Sequence, residues 1–146
     1  MVRRARHEGI AVMNGRFLPA SDVVREPLAW GSLAWFSRPA ATGARQLTVI
    51  EVDLTAGHGH NFHKHPDQEE VLYVIAGEIE QWIERDSRVL RAGDAVFIDK
   101  DVVHASFNVS GKPARFLAIL GPASTDAGYV SVEVGDQEPW KALTRR

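Results

Sequence analysis

His63 and His65 stand two positions apart, and Glu70 follows five residues later. Residues i and i+2 of a strand project to the same face, so one strand can aim both imidazoles at one metal ion. The turn at 65–68 (His-Pro-Asp-Gln) then predicts a hairpin whose second strand brings the Glu70 carboxylate alongside. His104 opens an apolar stretch after Asp101. Inward positions of different strands share one interior in a small barrel, which brings His104 in as a third imidazole. Three neutral imidazoles and a carboxylate form a mixed nitrogen and oxygen set. It suits divalent Fe, Mn, Ni, Co, Cu or Zn and matches Ca and Mg poorly. The chain has no cysteine, which excludes thiolate ligation, iron–sulfur clusters, disulfides and a thiol nucleophile. Four protein ligands leave up to two positions of an octahedron open to substrate, water or dioxygen, whereas they fill a tetrahedral zinc site. Both coordination numbers stay open at this point.

The neighbours of these residues carry two readings each. Strict alternation from His63 places His58 and His60 on the opposite face, as solvated loop histidines. A bulge permitted by Gly57 and Gly59 would reset the alternation and set His60 above the metal as a general acid or base. Glu69 is a solvated neighbour of Glu70, or a substitute ligand. One of Gln81 and Trp82 must face the interior, where Gln81 can bind substrate. Asn108 either ties down a strand end or contacts substrate. Phe62, Tyr73, Phe97 and Phe107 read as core residues.

The elements that must hold these groups read as strands. β-Branched and alternating stretches cover 46–54, 70–75, 79–83, 88–91, 95–98, 102–109 and 115–120, with one more over 129–134. Turns such as Ser110-Gly111-Lys112-Pro113 separate them at roughly 8–12-residue intervals, the rhythm of an all-β sandwich or barrel. No stretch sustains a helical period, and no phosphate-binding glycine loop is present. The 146 residues, 45% hydrophobic and 25% charged, are of a size for one domain with one core. We read 1–44 as an N-terminal arm that can add strands or make a dimer contact, 45–135 as the barrel and 136–146 as a C-terminal tail, polar from Pro139 on. Trp30 and Trp35 of the arm can cover a sheet face or meet a second subunit. A net charge of -2 argues against a protein built to grip nucleic acid or an anionic membrane. No run approaches the ~18–20 apolar residues of a membrane span, and no signal sequence is visible, so a cytoplasmic protein is expected. Arg3, Arg4, Arg6, Arg145 and Arg146 read as solvated ends, and His7 as incidental.

Gly57, His63, His65, Glu70 and Gly77 match, in order and spacing, the first motif of the cupins, and Gly93, His104 and Asn108 match the second. Asp99 stands where the second motif has proline, and Asp101 where it has glycine. The chain thus resembles a single-domain cupin over 57–108, and its strand rhythm extends the likeness to about 45–135. The resemblance implies a small jelly-roll β-barrel, commonly dimeric, with a divalent metal inside. Its ligands would be the motif residues His63, His65, Glu70 and His104. Asp101 must then make a left-handed turn, which aspartate tolerates better than most residues. Asp99 and Asp101 would place two carboxylates beside Lys100, near the barrel mouth. The activity implied is that of a metal-dependent enzyme on a small organic substrate. Dioxygenase-type oxidation goes with Fe, Cu or Ni, and isomerase, lyase or decarboxylase chemistry with Mn, Zn or Fe. A non-catalytic sensor or small-molecule-binding cupin is the alternative. No helix-turn-helix pair fits into 1–44, which argues against a transcription regulator.

Overall fold

The computed structural model describes residues 14–144; the readings of Arg3, Arg4, Arg6, His7, Arg145 and Arg146 concern positions outside them. Among the described residues the strands are β1 (Val24–Leu28), β2 (Gly31–Ser37), β3 (Thr48–Leu54), β4 (Gly59–Lys64), β5 (Glu69–Ala76), β6 (Glu78–Ile83), β7 (Asp86–Arg91), β8 (Ala95–Ile98), β9 (His104–Phe107), β10 (Ala114–Gly121) and β11 (Val132–Glu133). Two short α-helices accompany them, α1 (Pro39–Thr42) between β2 and β3 and α2 (Trp140–Leu143) after β11, and a 3-10 turn over Ala20–Asp22 precedes β1. One sheet has the order β1-β2-β3-β10-β5-β8 and the other β11-β4-β9-β6-β7, with antiparallel pairing throughout. The two layers make an all-β, jelly-roll type of barrel. The N-terminal arm contributes β1 and β2, which extend the first sheet through the β2–β3 pairing.

Sequence alternation explains the layering. Along β3 and β10 every second residue is buried, and Ile50, Val52, Leu54, Phe116, Ala118 and Leu120 fill the space between the sheets. Trp35 joins them from β2. Each large apolar side chain removed from water there contributes about 1.5–3 kcal/mol. Two aromatics expected in the core are not there. Tyr73 and Phe97 are exposed, because Leu72 and Val74 take the inward positions of β5 and alternation turns Tyr73 outward, beside the outward side of β8.

A second apolar cluster lies on the other face of the five-stranded sheet. It contains Phe62, Trp82, Ala105 and Phe107. The C-terminal tail, expected to be polar, covers it: Trp140 of α2 stacks on Phe62 at 5.5 Å between ring centroids. Two apolar residues in a short polar segment give no periodic signal, so only the tertiary contact reveals this role.

The β5–β6 corner turns on Gly77, whose φ is +73°. A Cβ there would lie 2.6 Å from the Pro113 carbonyl oxygen and 2.9 Å from Ala114 Cα. Gly77→Ala is therefore expected to cost roughly 1–3 kcal/mol from backbone strain, read as a lower urea midpoint at unchanged slope. An unchanged midpoint would mean that this corner yields freely.

Candidate metal centre

Strand pairing brings the imidazoles together. His63 of β4 and His104 of β9 are direct cross-strand partners, and their ring centroids are 4.2 Å apart. His65 lies just past the end of β4, where the chain leaves the sheet. One ring nitrogen each of His63, His65 and His104 falls within a 4.8 Å cluster, and all three residues are buried. Glu70 enters from the opposite sheet. Its Oε2 is 2.9 Å from His104 Nε2 and 3.5 Å from His65 Nε2. The expected β4–β5 hairpin does not form: β4 and β5 belong to different sheets, and the 65–68 turn carries the chain across the barrel. The carboxylate therefore faces the histidines across the interior.

Each imidazole is fixed through its other nitrogen. Nδ1–H of His63 donates to the Asn61 carbonyl at 2.6 Å, that of His65 to the Val130 carbonyl at 2.7 Å, and that of His104 to the Val102 carbonyl at 2.9 Å. Carbonyl oxygens only accept, so each ring carries a proton on Nδ1 and turns Nε2 inward. Burial, aided by the neighbouring imidazoles, pushes His63 well below the usual histidine range, and burial lowers His65 as well. Both are neutral and ready to donate a lone pair. Burial alone would raise Glu70, but the histidines beside it outweigh burial and hold it below the usual carboxylate range. Burial likewise lowers His104, and Glu70 reverses the direction.

Despite the 2.9 Å approach, Glu70 Oε2 and His104 Nε2 are buried atoms without a hydrogen-bond partner, so the contact lacks the alignment of a hydrogen bond. Such orphans are costly unless something pairs with them. A divalent cation would satisfy both, and the nitrogen and oxygen donors fit a transition metal.

A cavity of about 50 Å³ opens in front of these groups. Apolar side chains such as Leu72, Phe116 and Leu120 line it, together with the rings of Trp30 and Tyr129 and with Ser106. His60 lines it too. A bulge in β4 falls between His60 and His63, later than Gly57 and Gly59, and it puts both rings on one face. They stack at 3.6 Å, and Trp30 stacks on His60 at 5.1 Å. His60 Nε2 lies 3.3 Å from Glu133 Oε1. Burial raises Glu133, but His60 outweighs that and holds the carboxyl below its usual range. His58, by contrast, is exposed, with its ring turned to the Ala56 carbonyl at 3.1 Å.

Gln81 and Asn108 are buried but do not line the cavity. Gln81 accepts a 2.6 Å hydrogen bond from Ser106, which does line it. The Asn108 amide is used up by the Leu54 and Lys112 carbonyls and by Ser110, tying down the end of β9. Trp82 points to the other face, into the cluster under α2. Glu69 is exposed and faces outward.

Asp101 has φ +63° and makes the left-handed turn. Its N–H donates to the His65 carbonyl at 2.9 Å and its carboxylate meets Lys64, so it pins the turn before His104 to the end of β4. Asp99 caps the same turn through the Lys100 N–H. Asp99 and Lys100 line an open outer groove and not the cavity. Sequence reasoning missed Tyr129, Glu133 and Ser106 as site residues and placed Trp30 on a sheet face or subunit contact. Ser106 lies inside the second motif, two residues after His104, whereas Trp30, Tyr129 and Glu133 carry only a polar or aromatic type in segments remote from both motifs.

The family model described as a cupin domain matches residues 50–120. The chain is similar to Protein SchB of Streptomyces halstedii, 30% identical over 84% of this chain and 90% of that one. It is also similar to Polyketide synthase CurC of Streptomyces cyaneus, 26% identical over 83% of this chain and 80% of that one. Among solved structures, KdgF from Halomonas sp. superposes with a TM-score of 0.68 at 18% identity, over 77% of this chain and 98% of that one, a likeness of fold.

Proposed function

The chain belongs to the cupin family, and on that premise we propose that it is a metal-dependent enzyme acting on a small oxygen-bearing organic substrate. The observation that carries this reading is the set of three fixed imidazoles around a buried carboxylate whose Oε2 has no hydrogen-bond partner. His63, His65, His104 and Glu70 would hold a divalent transition metal, with its identity among Fe, Mn, Ni, Zn, Co and Cu. When bound, such a metal supplies Lewis acidity, and redox chemistry if it is Fe, Cu or Ni. The reaction is dioxygenase-like or an isomerase, lyase or decarboxylase conversion.

The residues around it have assigned work. His60 is the group we assign to proton transfer, oriented by Glu133 and stacked between Trp30 and His63. Leu72, Phe116 and Leu120 exclude water and receive an apolar ligand surface. The cavity has room for roughly one or two water-sized groups, so only the reacting edge of a larger substrate enters while its body rests on Trp30 and Tyr129. The relative named as a polyketide synthase supports a substrate of polyketide type. A cytoplasmic homodimer is the setting we propose; the exposed Val71, Tyr73 and Phe97 on the outer sheet face support the dimer.

Protein purified without chelators should carry close to one transition metal per chain by elemental analysis. Protein reloaded with each candidate metal should convert at least one phenolic or β-dicarbonyl compound, with dioxygen uptake in the oxidative case. Metal-free protein that cannot be reloaded would overturn the reading. Tight ligand binding with no conversion by any metal form would leave the non-catalytic binding module in its place.

A further inference from the structure

We infer that Gln68, which lies between His65 and Glu70 in sequence and whose amide is bonded to the 122–130 segment, is a positioning residue for His65 and for the Tyr129 wall. The inference rests on the metal reading and extends it to a residue outside the ligand set. Gln68 is fully buried in the 65–68 turn. Its Nε2 donates to the Pro122 carbonyl at 2.7 Å and the Gly128 carbonyl at 2.9 Å, and its Oε1 accepts from the Val130 N–H at 3.1 Å. Two acceptors and one donor around the amide leave only this orientation. One side chain therefore fastens both ends of the 122–130 segment. That segment returns the favour to the site: the Val130 carbonyl receives His65 Nδ1–H, and the Tyr129 ring packs edge-on against His65 at 5.8 Å. If Gln68 lets go, the carbonyl that sets the His65 tautomer and the ring that walls the cavity move together. Groups that orient a ligand through its second nitrogen commonly change metal affinity 10–100-fold.

The test is Gln68→Met, which keeps volume and removes all three hydrogen bonds. Co(II) affinity should fall about tenfold and the Co(II) visible spectrum should change. In metal-free protein the Val130 amide should exchange with solvent much faster than in wild type. Unchanged exchange at Val130, or faster exchange with Co(II) affinity within twofold of wild type and the same spectrum, would overturn the inference. Should Gln68→Met fail to fold, Gln68→Glu keeps the shape and the Val130 acceptor and loses both donors; Co(II) affinity and spectrum are then the readouts, and values equal to wild type would overturn the inference. Wild-type protein that bound no Co(II) would overturn the metal reading itself. The exchange arm, run without metal, decides separately whether Gln68 holds the segment.

Discussion

His104→Ala is expected to weaken divalent-metal binding about hundredfold or more, whereas His58→Ala leaves it within twofold. His104 offers a buried Nε2 that has no hydrogen-bond partner and lies 2.9 Å from Glu70 Oε2. His58 is exposed and turned to its own loop. Removing a ligand outright must exceed the 10–100-fold loss typical of removing a group that merely orients one. The substitution also leaves Glu70 as a buried carboxylate that has lost its nearest neighbour, so the metal-free variant loses stability as well. Titration against a metal-sensitive chelator measures affinity, and thermal unfolding without metal measures the second effect. Equal metal affinities for the two variants would reassign the ligands.

The contrast between His104 and His58 also marks what the sequence makes legible. A period of two is local information, and it locates most strands within a residue or two. β10 and β3 carry it plainly. Types and spacing single out the proposed ligands, and His63 and His104 meet because they sit in register on adjacent strands. What is lost is whatever depends on where the chain goes after a turn. The 65–68 turn has the composition of a hairpin, yet it crosses between sheets, and no local signal distinguishes these outcomes. The bulge between His60 and His63 is likewise invisible, since an extra residue leaves no compositional mark there. Trp30, Tyr129 and Glu133 reach the site from segments remote from both motifs, through contacts that only the assembled barrel creates.

That bulge makes Phe62 the residue on which core and site depend together, and Phe62→Ala is expected to cost about 3–5 kcal/mol of unfolding free energy. Phe62 is completely buried and touches Trp82, Phe107 and Trp140 at 5.5–5.8 Å between ring centroids. Truncation leaves a void walled by three large aromatic rings, which cannot close on a methyl group without moving β9 or α2. A loss of that size is a large share of the ~5–15 kcal/mol that holds a typical domain. The same residue carries the bulge: its N–H donates to Asn61 Oδ1 and its carbonyl accepts from Val134 N–H, one residue beyond Glu133. Its neighbours in sequence, Asn61 and His63, are the carbonyl and the ring of the first imidazole hydrogen bond. Truncation should therefore lower metal affinity too. Because metal binds the folded state, excess metal should recover part of the lost stability. Urea unfolding with and without saturating metal separates the two contributions. A cost under ~1 kcal/mol would show that the cluster beneath α2 unfolds independently of the barrel, and Phe62 would then have no hold on the metal centre.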